Sequence, residues 1–262
     1  MITGIALYNC EKITALQAYN LAKEFFNFVS LEITDVGYYQ FLKNGDHIGD
    51  HDFIETTLEN LAHQIEIGNA TAFRLSKKGI KQAWEASFGY MTNEFGSFHH
   101  IDAQFPSSRG SEEFRSFFIK LSIESCAPYG IVYSTNDVLN AFYYATGNNF
   151  VTIFPYENPL PWQQETPGLY QGASRYTHSM LRMVYPHNLL NSNHMNMKID
   201  GINLKEWVTC GANRGSLKEI DNNLFLWTVE STSIDELNNL LGNSGLLISW
   251  QQQKNITKKN IP

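Results

Sequence analysis

The sequence is poor in cysteine. Its 262 residues include three cysteines, Cys10, Cys126 and Cys210, which are far apart and form no Cys-x-x-Cys pair. Disulfide frameworks and zinc ribbons depend on paired or closely spaced cysteines. The spacing therefore argues against both. Cys126 and Cys210, which lie in or beside predicted helices, are expected to be buried as small apolar side chains.

Signature motifs of catalysis are missing. The chain contains no Gly-x-Ser-x-Gly elbow, no Ser-x-x-Lys and no recognisable nucleophile signature around any cysteine. The phosphate-binding patterns Gly-x-x-x-x-Gly-Lys and Gly-x-Gly-x-x-Gly are absent as well. The glycines at Gly211 and Gly215 follow a predicted helix, whereas those of a dinucleotide loop precede one. We therefore expect neither enzyme activity nor a cofactor.

Basic residues are outnumbered by acidic ones. The chain has 19 Lys and Arg against 26 Asp and Glu, a formal net charge of −7, and its mean hydropathy is −0.29. A net acidic surface repels nucleic acid at long range and attracts basic partners. Direct binding to DNA or RNA is therefore disfavoured.

Long hydrophobic runs are also missing. The start of the chain lacks the basic region and apolar run of a secretory signal, and no later segment reaches membrane-spanning length without polar residues. These features predict a cytoplasmic protein that has no membrane partner. Residues 251–262 are polar and without periodicity, which predicts a flexible tail.

The composition that remains is that of a globular protein, with 43% hydrophobic and 17% charged residues. The patterning predicts a strand over 2–8, an amphipathic helix over 18–29 and a strand rich in Tyr and Phe over 36–42. A second helix is predicted to begin at Asp52, followed by a strand over 70–75. The opening of the chain is thus predicted to be β-α-β-α-β.

Apolar and polar residues alternate over 84–91 and again over 99–105, which predicts an antiparallel strand pair with one buried face. Two further helices and a short strand are predicted between residues 111 and 147. The fold class is therefore α+β, with mixed, mainly antiparallel sheets and helices packed on one face. A single domain over 1–250 is expected, with two ferredoxin-like halves, 1–150 and 151–250, as the alternative.

The segment from Phe154 to Tyr176 differs from the rest of the chain in composition. Four prolines in it are expected to preclude regular helix and to favour extended or turn backbone. They are Pro155, Pro159, Pro161 and Pro167. Large side chains such as Tyr156 and Trp162 in this segment need either burial or a partner.

The densest group of candidate metal ligands is His47, Asp50, His51 and Asp52. Imidazole and carboxylate groups can bind zinc or iron, so a metal-dependent hydrolase is one hypothesis for the chain. The alternative is a helix start, in which Asp50 or Asp52 caps the predicted second helix. The helix start is favoured, because no spaced set such as His-Glu-x-x-His accompanies the cluster.

A second candidate pair is His100 and Asp102. Strand alternation places both side chains on one face, where a base and its orienting carboxylate could act together, and this pair could serve the same hydrolase. A hydrogen bond or salt bridge on an exposed sheet is the favoured alternative.

The last third of the chain carries a series of short motifs. A short helix, a hairpin turning at Asp221-Asn222-Asn223 and a final helix capped by Ser233 with Glu236 are predicted here. The motifs are Tyr185-Pro186-His187-Asn188-Leu189-Leu190, Leu204-Lys205-Glu206-Trp207, Arg214-Gly215-Ser216-Leu217 and Leu224-Phe225-Leu226-Trp227-Thr228. This stretch resembles the immunity proteins that accompany bacterial polymorphic toxins and type VI secretion, in particular the immunity protein 52 type.

The resemblance implies a protein that binds and neutralises a cognate toxin by direct contact, with nucleases among the toxin classes to consider. A binding surface for such a partner should combine aromatic anchors with carboxylates. Tyr156, Glu157, Trp162 and Glu165 in the proline-rich segment are the predicted partner-binding residues. The alternative for these four is a loop packed on its own domain. The motif residues Tyr185, Trp207 and Trp227 are expected to be core.

Overall fold

The computed structural model describes residues 1–47, 49–96, 98–107, 111–165 and 174–252. Strands are numbered in chain order within these residues. They are β1 Ile2–Tyr8, β2 Asp35–Phe41, β3 His51–Thr56, β4 Phe73–Lys78, β5 Trp84–Met91, β6 His100–Pro106, β7 Tyr129–Thr135, β8 His187–Asn191, β9 Lys198–Ile199, β10 Ile202–Asn203, β11 Ser216–Asp221 and β12 Leu224–Thr228.

Helices are numbered in the same way within the described residues. They are α1 Ala15–Val29, α2 Leu58–Glu66, α3 Asn93–Gly96, α4 Ser111–Glu124, α5 Val138–Thr146, α6 Pro159–Glu165, α7 Ser192–Met195, α8 Leu204–Cys210 and α9 Ile234–Asn243. None of these helices combines the length and the apolar composition needed to cross a lipid bilayer.

One antiparallel sheet of ten strands organises the molecule. Its order is β11-β12-β8-β7-β1-β6-β5-β4-β2-β3, and β9 pairs with β10 in a small separate hairpin. β1 lies near the centre, antiparallel to both β6 and β7. Strands from both suggested halves of the chain therefore belong to the same sheet.

Two hydrophobic cores lie on opposite faces of this sheet. On β1, Ile5 and Leu7 point to one core and Ala6 and Tyr8 to the other, and all four are buried. We call the face of Ala6 and Tyr8 the front face and the face of Ile5 and Leu7 the back face. The front core contains residues of α5, α6, α8 and α9, and the back core contains residues of α1, α2 and α4.

The α+β class and the antiparallel pairing are confirmed, and the prediction that helices pack on one face is wrong. A central strand that is apolar on both faces must be covered on both, and alternation in other strands had suggested a single buried face. The ferredoxin-like arrangement does not occur in the first half. Three strands separate β1 from β2, so these two strands do not form a split β-α-β unit.

Local capping explains where the first helices begin. The Thr14 hydroxyl accepts from the Gln17 amide, and the Gln17 side chain accepts in return from the Thr14 amide, which forms a complete capping box for α1. The predicted second helix begins later than expected, at Leu58 with Thr57 as its cap. Residues 52–56, expected to open that helix, belong to β3 instead.

The proline-rich segment also differs from its prediction. Pro159 and Pro161 lie in the first turn of α6, where the backbone amides have no intrahelical partner and proline is tolerated. Residues 166–173, which include Pro167, are outside the described part of the chain, as are residues 253–262 of the predicted tail.

In the C-terminal third, α8, the β11-β12 hairpin and α9 confirm the predicted elements. Ser233 makes no side-chain capping bond, so that part of the prediction is wrong. Tyr185, Trp207 and Trp227 are buried as expected, with Trp227 fully inaccessible. Cys126 and Cys210 are exposed and Cys10 is buried, which reverses the expectation for the first two.

Candidate interaction surface

The front face of the sheet is partly open beyond α5. This helix lies over β7, β1 and β6 and reaches β5. On the strands farther out, front-facing side chains remain accessible: Phe41 of β2 is 46% exposed and Phe53 of β3 is 44% exposed. Leu42, directly after β2, is 43% exposed. Three large apolar side chains thus reach solvent at one end of the sheet.

The exposed rings belong to a connected cluster, which we call the aromatic edge: Tyr39, Phe41, His51, Phe53 and Phe95. Phe41 stacks on Phe95 with ring centroids 4.5 Å apart, and Tyr39 contacts Phe53 at 5.2 Å. The His51 ring lies 5.4 Å from Phe95. These rings hold one another in place, so the surface that they present is pre-organised.

The pairing of β2 with β3 explains why the rings meet. Tyr39 is directly opposite Phe53, and Phe41 is directly opposite His51. Side chains at opposite positions of an antiparallel pair lie on the same face and within contact distance. Gly37 leaves room for the Phe53 ring, because a β-carbon at position 37 would collide with Phe53 Cζ.

The hairpin that carries these rings is acidic. Between residues 35 and 56 there are five carboxylates and one lysine, a net charge of −4 with histidine neutral. The carboxylates belong to Asp35, Asp46, Asp50, Asp52 and Glu55. More than half of the net charge of the chain is therefore concentrated in one hairpin, beside the aromatic edge.

A buried ion pair supports the open face from within the sheet. Arg74 of β4 donates two hydrogen bonds to Asp102 of β6, at 2.9 and 2.7 Å, and its guanidinium lies 4.5 Å from the centroid of the Phe142 ring. Burial alone would raise the pKa of Asp102, but the charge and hydrogen bonds of Arg74 outweigh burial and lower that pKa. Asp102 is therefore a fixed anion that holds Arg74 beside the aromatic edge.

His100 and Asp102, the predicted base and orienting carboxylate, are both buried, so the expected exposed sheet is not found. The Asp102 carboxylate is occupied by Arg74 and by the Gln104 amide, which donates at 2.7 Å. His100 Nε2 lies 3.6 Å from Asp102 Oδ1. Burial lowers the pKa of His100, against the opposing effect of Asp102. These groups form an internal polar network between strands.

The predicted metal cluster spans the turn between β2 and β3, which holds His47 and Asp50, and the start of β3, which holds His51 and Asp52. The Asp50 carboxylate accepts a hydrogen bond from the His47 backbone amide at 2.8 Å, and His51 Nδ1 is 3.1 Å from the Gly49 carbonyl oxygen. In the described part of the chain, no group of three or more His, Cys, Asp or Glu side chains is arranged to hold a metal ion. Asp50 stabilises a turn here, and neither it nor Asp52 caps a helix.

The four predicted partner-binding residues are buried. Tyr156 and Glu157 are 5% and 4% exposed, and Trp162 and Glu165 are fully inaccessible. The structure therefore matches the alternative, a segment packed on its own domain. Binding a partner through these side chains would require the segment to open.

Their internal contacts explain this burial. The Tyr156 hydroxyl donates to Asp235 at 2.6 Å, and the Tyr144 hydroxyl donates to Glu157 at 2.8 Å. Trp162 packs against Tyr8 and Tyr176, each with ring centroids 5.1 Å away. Glu165 forms a 2.8 Å ion pair with Arg175.

Of the aromatic edge, only His51 is among the predicted site residues, as a candidate metal ligand. The sequence did contain one signal, the concentration of Tyr and Phe over 36–42, which predicted a strand. Phe53 carries no such signal, because the apolar residues that follow it, beginning at Ile54, have the spacing of a helix. Once β3 is recognised as a strand, Phe53 falls opposite Tyr39 and the cluster follows.

Comparisons with known proteins give a likeness to a solved structure. No protein-family model matches the sequence, and no curated protein matches it. Among solved structures, the Pseudomonas aeruginosa T6SS protein PA0821 is similar, with a TM-score of 0.55 and 10% sequence identity. The match covers 98% of this chain and 76% of that one. The likeness establishes a shared fold over almost the whole of this chain.

Proposed function

We propose that this chain is an immunity protein, which binds a cognate bacterial toxin by direct contact through the aromatic edge and thereby neutralises it. The observation that carries the proposal is the exposure of a pre-organised aromatic cluster beside a concentration of carboxylates. Exposed apolar patches rimmed by polar groups mark interaction sites, and aromatic side chains supply much of the binding energy at interfaces.

Two likenesses support the biological setting. The motifs of the C-terminal third resemble those of immunity proteins of the immunity protein 52 type, and the similar solved structure is a T6SS protein of Pseudomonas aeruginosa. Type VI secretion delivers toxins between bacteria, and a cell that makes such a toxin needs a protein to neutralise it. In this proposal the chain acts in the cytoplasm of that cell.

The charge of the hairpin favours a basic partner. Complementary charges raise the rate of association and select against wrong partners. A nuclease toxin fits this requirement, because the groove that holds its nucleic acid is basic. The Glu55 carboxylate lies two residues from Phe53 on the same face of β3, so charge and apolar contact would act on the same partner surface.

The size of the aromatic contribution follows from the exposed area. A phenylalanine presents about 200 Å², so a ring that is 44% exposed leaves about 90 Å² for a partner to cover. Covering that area contributes about 2 kcal/mol, or roughly 30-fold in Kd, for each ring. Removing both Phe41 and Phe53 should therefore abolish neutralisation by a toxin that binds here with ordinary affinity.

The test is co-expression with a candidate toxin domain encoded by a neighbouring gene, scored by growth and by co-purification of a complex. The unmodified chain should rescue growth and co-purify, and the Phe41→Ala/Phe53→Ala variant should do neither. Phe150→Ala is the matched control, because Phe150 is 57% exposed and lies outside the aromatic edge. Rescue without a complex, or equal rescue by the double variant, would contradict the proposal.

A further inference from the structure

The two edges of the ten-stranded sheet are built differently. At β11 the register shifts between Glu219 and Asp221, and α4 and α8 contact the strand. At β3 the register runs unbroken over six pairs, from Val36 opposite Thr56 to Phe41 opposite His51. Bulges and covering helices protect an edge strand from pairing with another chain. The ladder at the β11 edge is interrupted by this register shift, whereas the β3 edge has a regular ladder.

The hydrogen bonds of β2 fix which backbone groups of β3 face outward. The Leu42 amide donates to the Asp50 carbonyl oxygen at 2.8 Å, just beyond the β2–β3 ladder. Hydrogen-bonded and non-hydrogen-bonded pairs alternate along an antiparallel ladder, so His51, Phe53 and Glu55 occupy non-hydrogen-bonded positions. Their amides and carbonyls point away from β2. The Tyr39 amide, which donates to Ala72 at 3.0 Å on the other side of β2, agrees with this alternation.

The same three residues therefore face the open edge with their backbone and the open front face with their side chains. A strand laid beside β3 would pair with the backbone of His51, Phe53 and Glu55 while its own side chains contacted the Phe53 ring. This coincidence of an unpaired ladder, an exposed ring and carboxylates is specific to the β3 edge within the described residues.

We infer that the toxin contributes an extended segment which adds to the sheet as an eleventh strand beside β3. The inference rests on the proposed function and specifies its mode. Such a segment would carry lysine or arginine near Asp52 and Glu55 and an apolar side chain against Phe53. A second copy of this chain is disfavoured as the occupant, because pairing β3 with itself would bring together two hairpins that each carry a net charge of −4.

A proline at position 55 tests the backbone contribution. Proline removes an amide that bonds to nothing within the sheet and is tolerated at outward-facing positions of edge strands, so Glu55→Pro should still fold. Glu55→Ala is the matched control, since it removes the carboxylate and keeps the amide. We expect Glu55→Pro to bind the toxin roughly tenfold more weakly than Glu55→Ala, because the proline variant loses a backbone hydrogen bond.

Amide hydrogen exchange provides a measurement that needs no substitution. In the free protein, the amides of His51, Phe53 and Glu55 should exchange quickly and those of Ile54 and Thr56 slowly. Saturating toxin should slow exchange at the three outward amides.

The possible results separate the two proposals. If the unmodified chain binds and neutralises the toxin, but Glu55→Pro matches Glu55→Ala and the outward amides gain no protection, strand addition is refuted and the proposed function stands. If the chain neither binds the toxin nor rescues growth, the proposed function fails and strand addition falls with it. Protection of the outward amides by dimer formation without toxin would assign the edge to a second copy and overturn the inference.

Discussion

Acidification should destabilise this protein through His194. The imidazole is fully buried next to Tyr129. Nε2 lies 2.9 Å from the Tyr176 carbonyl oxygen, and Nδ1 lies 3.2 Å from the Asn191 backbone amide. A carbonyl accepts and an amide donates, so the partners assign the neutral tautomer with its proton on Nε2. Protonation would place a second N–H against the Asn191 amide, where two donors would face each other.

The magnitude follows from the pKa. Burial lowers the pKa of His194 to about 4, against an ordinary value of 6.5, while the hydrogen bond to Tyr176 acts in the opposite direction. Because the folded pKa is depressed, the unfolded chain binds the proton more readily. The stability contributed by the neutral imidazole is complete above pH 6.5 and is lost as the pH falls toward 4. At pH 5 the loss is about 2 kcal/mol.

Urea unfolding at pH 7 and pH 5 measures this loss, with His194→Gln as the control. Glutamine can offer one donor and one acceptor but does not titrate in this range. Burial also lowers the pKa of His187 to about 4, so His187 adds a similar loss of stability to both proteins. The free energy of unfolding of the wild type should therefore fall by about 2 kcal/mol more than that of the variant. Equal losses in the two proteins would refute the assigned tautomer and its consequence.

Three further results are expected. Asp102→Asn should lower the free energy of unfolding by about 3–5 kcal/mol, because Arg74 stays buried without its counter-charge. Adding Arg74→Met removes the unpaired charge, so the double variant should lose less stability than Asp102→Asn alone. An equal or larger loss in the double variant would contradict this explanation. Gly89→Ala should lower the melting temperature, since a β-carbon there would collide with the Arg74 guanidinium; an unchanged melting temperature would show that the ion pair can shift. Phe41→Ala and Phe53→Ala should each weaken toxin binding roughly 30-fold, measured by calorimetry on variants that urea unfolding shows to be folded; unchanged binding by a folded variant would refute its part in the surface.

Local patterns of the sequence predicted much of the fold. Alternation located β5 and β6, an apolar run located β1, and the Asp221-Asn222-Asn223 turn located the β11-β12 hairpin, in which Asn223 adopts a left-handed conformation with φ of 64°. These signals depend on neighbours in the chain. Strand order does not, and the placement of β1 between β6 and β7 follows from contacts across about a hundred residues, which no local pattern encodes.

The error at β3 shows where periodicity fails. Ile54, Leu58, Leu61 and Ile65 repeat at intervals that suit a helix, but Ile54 belongs to β3 and the other three to α2. All four pack against the back core, so a strand followed by a helix produced one continuous apolar series. This apolar series gives no sign that the strand ends at Thr57 and a helix follows. The sequence pattern therefore does not reveal the edge strand that carries the candidate site.

The predicted partner-binding residues and the aromatic edge have the same chemical character and differ in accessibility. Tyr156, Glu157, Trp162 and Glu165 combine aromatic rings with carboxylates, and so does the aromatic edge with its hairpin. What separates the two sets is burial, which depends on whether α5, α6 and the C-terminal helices cover a given strand. Sequence specifies the chemistry of a side chain, whereas its accessibility is a property of the assembled layers.

The two edges of the sheet suggest why this surface persists. An edge strand with an exposed phenylalanine is an aggregation hazard. At β11, which carries no aromatic residue, a register shift interrupts the ladder. At β3 the chain relies on charge, since Asp52 and Glu55 repel a second copy of the same strand. Repulsion between two acidic strands leaves the edge open to a basic strand, whereas a bulge or a covering helix would block both. Protection by charge alone is therefore what we expect of an edge that must stay available to one partner.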